Sequence, residues 1–461
     1  MKIFYRRLIS ILSVIIFALT GVGQSVIGFT AGTPVEATRR NYSFDNRGLI
    51  VGGYYSTKDE LKYCNDAGIQ FVIASGVNRD YLDTAQNYGV GVIATGYNYP
   101  YSYMDMSDSV TQAYVNADIR NYKDHPALWG DNVIDEPTSA SYGNIAKAVD
   151  KYYSLHPNHI PFVNLFPMYA NEDQLNEHMT LKPASVLLTP FSDHFNDQVN
   201  RFKAYTSDYI NTIDTDYICV DIYPYDAKLN SRGDTVKSTG EYWIRNLDVL
   251  AEACRDTGRD LWVITQAAGL TKDGVKNGDK RWCDEASDIS QQVFASLAFG
   301  TKAIIHGIYG HQGWWDVDSH MIGSNGKPTD TYYAVSEVDG YIQDFAQVYG
   351  DYNYTSTYLV NRTRIAGYRH GKLACEVIKE EGNIKSSNGL LVGTFTGKDN
   401  SSKAYIVANM EELNKNKTAQ FSFNVPEGKV AAVYYKGTVI NKASDFTMKL
   451  DAGAGAFITV K

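Results

Sequence analysis

His-Pro-Ala-Leu-Trp-Gly-Asp-Asn-Val-Ile-Asp-Glu-Pro, residues 125–137, is the stretch on which the reading of the fold turns. Residues 128–134 form an apolar run of strand length, and Asp135 and Glu136 stand side by side at its carboxyl end. Pro137 stops the strand, and residues 138–141 (Thr-Ser-Ala-Ser) supply helix N-cap types ahead of an amphipathic segment at 142–155. Two carboxylates at the carboxyl end of a parallel strand occupy the position where βα-barrels keep their chemistry. The competing reading is that they merely favour the positive end of the next helix.

Outward from this stretch, strand-like and helical patterns alternate eight times. The strand-like runs are 48–55, 71–76, 90–98, 128–136, 160–167, 217–225, 261–269 and 303–314. Helical patterns lie between and after them at 58–67, 79–88, 109–122, 142–155, 195–213, 240–257, 284–299 and 332–349. Gly68, Gly89, Gly258 and Gly300 each follow a helical pattern, the place where a left-handed residue ends a helix. Eight such units predict an α/β fold, a closed (βα)8 barrel spanning 41–350. An open doubly wound sheet would want a glycine-rich phosphate loop after its first strand, and Gly52-Gly53-Tyr54-Tyr55 is not one. Short alternating runs at 390–396, 404–409, 419–425, 430–435, 446–450 and 456–460 then predict a small antiparallel β-sandwich over 351–461.

A net charge of -9, with no basic cluster beyond the N-terminus, argues against nucleic acid as a partner. Thirty-five Tyr beside 6 Trp suit a surface that stacks on sugar rings while phenols bond hydroxyls, and suit equally a large barrel's rim. Residues 1–37 read as an export signal: Lys2, Arg6 and Arg7 lead an apolar run too short for a comfortable membrane span. Cleavage after Ala37 fits better than after Ala31, which predicts a secreted or cell-surface protein without stable membrane insertion; an uncleaved anchor is the alternative. Five scattered Cys, at 64, 219, 254, 283 and 375, read as packed thiols, although a single bridge is compatible with them.

Strand alternation selects the residues that face the lumen. In the sixth run Cys219, Asp221, Tyr223 and Tyr225 share the inner face, so Asp221 points into the barrel near its mouth. A buried carboxylate must be bonded or used. In the eighth, Tyr309 and His311 share a face with Ala303 and Gly307, and Trp314-Trp315 follow at the rim. With Tyr54 and Asn164 at their strand ends, Tyr223, Tyr309, His311, Trp314 and Trp315 are the candidate sugar contacts. His306, His311 and His320, with Asp316 and Asp318, cluster loosely but match no metal-ligand spacing; neither metal nor cofactor is called for.

Cleaving a glycosidic bond needs a carboxylic acid for the leaving oxygen and a second group at the anomeric carbon. Here the chain resembles barrel glycoside hydrolases of the clan A type, closest to the family 42-like group. "HPALWGDNVIDEP" (125–137) looks like their fourth strand, "VDIYPY" (220–225) like their sixth, and "GSNGKPTDTYYAVSEVDGYI" (323–342) like the segment after their eighth. The resemblance implies a hydrolase of an oligo- or polysaccharide with Glu136 as proton donor, and the export signal implies that it is secreted. It departs in two places: Asp135 stands where the family carries Asn, and Gln266 where it carries a nucleophilic Glu at the end of strand seven. Three readings follow. Glu136 acts as acid with Asp221 activating water; or Asp135 orients a substrate 2-acetamido group, steadied by Tyr223; or the barrel only binds glycans. Gln266 is then a sugar contact instead of a nucleophile.

Overall fold

The computed structural model describes residues 36–42, 47–95, 124–175, 191–229, 231–233, 235–240, 242–269, 282–283, 285–311, 320–360, 376–378, 380–381, 383–386, 388–411, 413 and 416–461. Most of the expected export segment, the helix expected at 109–122, Trp314, Trp315, Asp316, Asp318 and Cys375 lie outside them.

Eight parallel strands close into a barrel: β1 Ile50–Tyr54, β2 Phe71–Ser75, β3 Gly91–Thr95, β4 Leu128–Asp135, β5 Ile160–Leu165, β6 Tyr217–Ile222, β7 Asp260–Gln266 and β8 Ala303–Gly307. Each pairs with its neighbours in sequence, and β8 closes on β1. Around them run α1 Arg79–Asn87, α2 Tyr142–Leu155, α3 Phe191–Thr212, α4 Trp243–Thr257, α5 Ala286–Ala298 and α6 Asp330–Tyr349. The four glycines expected past helix ends all adopt positive φ, between 68° and 82°. No helix among the described residues is long and apolar enough to cross a membrane.

The segment predicted as a helix at 58–67 winds instead as two 3-10 turns, Lys58–Tyr63 and Asn65–Ala67. The Tyr309 hydroxyl donates to the Glu60 carbonyl and the Tyr332 hydroxyl to the Tyr63 carbonyl, both at 2.8 Å. Those are the acceptors that α-helical bonding would have given to Cys64 and Ala67, whose N–H groups turn to Leu61 and Cys64 instead. A β-hairpin, Tyr225–Leu229 with Thr235–Thr239, follows β6 where no strand pair is predicted.

Near the amino ends of its strands the lumen is filled by aromatic rings. Trp262 stacks on Tyr217 at 4.5 Å and lies 6.2 Å from Phe71, which stacks on Trp129 at 5.7 Å. Glycines make the room: a Cβ on Gly52 would stand 2.5 Å from the Phe71 ring, and one on Gly91 2.1 Å from the Trp129 indole. Large and small residues thus interdigitate across the barrel and close it from below.

The described residues beyond α6 form two sheets. The larger is built on β9 Tyr352–Val360, with seven strands; the smaller has four. Val392, Val407 and Ile458 from one face Ile384, Phe421 and Phe423 from the other in a second core. The barrel meets this sandwich through α5 and α6. Phe345 packs 5.0 Å from Phe457, and Gly393 and Gly455 leave space for Ala298 and Phe294. The four described cysteines are buried free thiols.

Residues 36–42 strap the amino-terminal face of the barrel. Arg40 pairs with Asp214 at 2.9 Å and Asp216 at 2.7 Å, and its guanidinium sits 3.5 Å above the Tyr153 ring. Arg39 reaches Asp260, but that pair is 56% and 37% exposed, whereas Arg40 and Asp216 are 15% and 4% exposed. Arg40→Ala strands a buried carboxylate and should lower stability by about 3 kcal/mol in urea unfolding. Arg39→Ala should stay within about 1 kcal/mol of wild type.

Candidate active site

Strand β4 does not keep a simple alternation. Against β3 its register steps from Val92↔Leu128 to Ile93↔Gly130, and against β5 from Asn132↔Phe162 to Ile134↔Val163. Each step is one extra residue in β4, a bulge that reverses which side chains face in. Asp131 points outward and accepts from the Tyr152 hydroxyl of α2 at 2.7 Å, while Asn132 reaches Thr95 at the end of β3, 3.2 Å away. Strict alternation from Asn132 would send Ile134 and Glu136 inward. The extra residue sends Asp135 inward instead. Glu136 then takes a left-handed backbone, φ 49°, before Pro137, and its N–H donates to the Asn164 carbonyl at 2.8 Å. A non-glycine residue in this region stores about 1–3 kcal/mol, a strain that collects at functional sites. Tyr55, at the end of β1, carries the same feature with φ 61°.

Asp135 is reached by solvent at the carboxyl end of β4, yet protein is densely packed around its carboxyl. Its carboxylate accepts from the Asn164 amide at 2.9 Å, and the same nitrogen donates to Asp221 at 3.1 Å. Enclosure raises the pKa of Asp135, and the Asn164 and Tyr54 donors only partly offset this. The Tyr54 hydroxyl is fully enclosed and close enough to Asp135 to favour its charged form, although among the described residues it meets strict hydrogen-bond geometry with none. Tyr54 and Tyr55 stack edge to face at 4.4 Å. Burial raises both phenols, and the Asp135 charge adds to it; Glu136 and Asp221 also act on Tyr55. Across the mouth Tyr223 feels Asp221, Asp135 and Glu136 together, and its hydroxyl lies 3.1 Å from where a Cβ on Gly307 would be. Asp135, Glu136, Asp221, Tyr54, Asn164 and Tyr223 therefore converge on one site.

Three expected contacts fall elsewhere or serve otherwise. Gln266 is wholly buried; its amide accepts from the Tyr225 N–H at 2.9 Å and donates to the Tyr225 and Ala268 carbonyls at 3.0 and 3.2 Å. It holds the start of the β-hairpin and has no hydrogen left for a sugar. Tyr309 is also wholly buried, because the chain turns after Gly307 and packs the ring on Gly53 with its hydroxyl on Glu60. The Asn164 amide hydrogens are both spent on carboxylates, so it does not donate to a ligand. His311 stands edge-on to His320 at 5.0 Å and beside Glu60. His306 faces outward, bonded to Asp339 at 3.0 Å and Thr265 at 3.1 Å, so the loose histidine cluster is divided.

The architecture is a (βα)8 barrel with an appended β-sandwich. No protein-family model and no curated protein matches the chain. Solved structures do. One is a glycoside hydrolase, 11% identical, covering 95% of this chain and 98% of its own, with a TM-score of 0.49. A family 42 β-galactosidase from G. stearothermophilus, solved as a catalytic mutant, is 9% identical over 92% of this chain and 99% of its own, TM-score 0.47. An endo-β-1,4-mannanase from Thermotoga petrophila is 10% identical over 88% and 98%, TM-score 0.39. These neighbours are glycoside hydrolases.

Sequence reasoning misses Tyr55 and Tyr169. Tyr169 lies in the loop after β5, 45% exposed, and its hydroxyl accepts from the Tyr223 N–H at 3.3 Å. Only the aromatic richness of the strand ends hints at them.

Two outcomes follow from this geometry. Gln266→Glu would set a carboxylate against two buried carbonyls, so it should lose about 2–4 kcal/mol in thermal unfolding and gain no nucleophile in the mouth. Folded Asp135 keeps its proton to higher pH than the unfolded chain does, so it lends stability that is lost as pH rises through its raised pKa. Asp135→Asn should flatten that part of the stability–pH curve.

Proposed function

We propose that this chain is a secreted glycoside hydrolase acting on the O-glycosidic bonds of an extracellular oligo- or polysaccharide. The observation that carries this reading is the convergence of Asp135, Glu136 and Asp221 from two strands at the carboxyl-terminal mouth of the barrel, among Tyr54, Tyr55, Tyr169 and Tyr223. Carboxyls supply and remove protons, and the phenol rings offer faces for sugar stacking.

In the proposed reaction Glu136, lifted to the rim by its left-handed backbone, protonates the glycosidic oxygen as the C–O bond breaks. Asp221 takes a proton from the water that attacks the anomeric carbon, giving inversion. Asp135 orients the sugar beside it; on a 2-acetamido sugar it would instead hold the amide that attacks. The locked Gln266 amide supports a route without a strand-seven nucleophile. The same observation favours, as a second reading, a barrel that binds glycans without cleaving them.

Glu136→Gln should lower kcat by about 10²–10⁴-fold with glycan binding and fold retained. Anomer-resolved NMR of the first product should show inverted configuration. Wild-type binding without turnover across a broad glycan panel would favour the binding protein, and unchanged turnover in Glu136→Gln would remove Glu136 as the acid.

A further inference from the structure

We infer that Asn164 is a positioning residue whose single amide nitrogen ties the Asp135 and Asp221 carboxyls into one unit, so that neither moves or changes charge without the other. The inference deepens the proposed hydrolase and rests on it for its kinetic consequence alone.

Asn164 sits on β5, between the two strands that carry the carboxylates. Its Cα partners are Asp135 on β4 and Cys219 on β6, and the residue is 2% exposed. A primary amide has two N–H bonds. One goes to Asp135 at 2.9 Å and one to Asp221 at 3.1 Å, while Oδ1 has no hydrogen-bond partner among the described residues. The two bonds laid end to end limit the accepting oxygens to about 6 Å apart. At that range, inside a cleft, one carboxylate's charge opposes the other's, and a shared donor favours the charged form of both.

The pair is faced by Tyr54 and Tyr55 from β1, by Cys219 and Tyr223 from β6, and by Glu136 from the end of β4. The β4 bulge is what brings Asp135 into reach of the amide. Without it Glu136 would take the inward position and the bridge would have no first partner.

The test is a carboxyl titration by NMR on full-length protein labelled with 13C-aspartate, the Asp135 and Asp221 signals being assigned from Asp135→Asn and Asp221→Asn. In Asn164→Ala and Asn164→Asp the Asp135 midpoint should rise by roughly one pH unit, since a donor to its charged form is gone. In Asp221→Asn, with Asn164 intact, the Asp135 midpoint should fall, since a like charge is gone. Folded Asn164 variants with the wild-type midpoint would overturn the pairing. Should both fail to fold, an unmoved midpoint in Asp221→Asn does so alone. With a glycan that wild type cleaves, Asn164→Ala should lower kcat at least tenfold, with KM within threefold and the acid limb of the pH profile moved up in step. If no glycan is cleaved the hydrolase falls, yet the titrations still judge the bridge; cleavage with unmoved titrations sinks the bridge and spares the hydrolase.

Discussion

One inserted residue in β4 decides which carboxyl the barrel receives. Side chains alternate along a strand with a period of two, so a single extra residue exchanges the inner and outer sets beyond it. Here the exchange falls between Asn132 and Ile134, directly before Asp135 at the strand's end. It places the shorter acid, Asp135, at the height where Asn164 and Asp221 project from the next two strands. It also leaves Glu136 to leave the strand in a left-handed conformation just before Pro137. Those two consequences are linked, because moving the bulge would change both side chains together.

The lower half of the lumen explains why the barrel can hold such an arrangement above it. Trp262, Tyr217, Phe71 and Trp129 pack as a floor, and Gly52 and Gly91 give way where rings would collide. Burial on this scale is the main stabilising term in a domain. It offsets an enclosed, partly satisfied carboxyl and two left-handed non-glycine residues at the rim. In the barrel, both left-handed non-glycine residues lie at the open end, above this aromatic floor.

How much of this is legible in the sequence follows from the range of each interaction. The barrel is legible because its signals are local and repeated: apolar runs of strand length, amphipathic spacing, and glycines where φ becomes positive at Gly68, Gly89, Gly258 and Gly300. Asp221 facing inward is also legible, since β6 keeps strict alternation and its neighbours confirm it. Asp135 is not, because a bulge leaves no mark in "DNVIDEP" that period-two reasoning can detect. Tyr309 and Gln266 deceive for a related reason. Each stands at or just past a strand end, where the direction of the loop decides the side chain's partner. For Tyr309 that partner is the Glu60 carbonyl, 249 residues earlier in the chain, and for Gln266 the Tyr225 backbone.

The engaged Gln266 amide also narrows the chemistry that the proposed function can use. Retaining cleavage through a protein nucleophile needs carboxyls about 5–5.5 Å apart on opposite sides of the bond, and inversion about 6.5–9.5 Å to admit water. Asp135 and Asp221, tied through one nitrogen, are too close to flank a sugar and a water between them. On the proposed reading they act from the same side, as a joined anionic floor, and the opposing acid comes from above. Glu136 meets that demand, because its backbone turns it off the strand while its charge still reaches Tyr55 and Tyr223 on opposite walls. The division of labour is then a matter of height: a coupled pair below the sugar ring, and a single carboxyl at the rim beside the leaving oxygen.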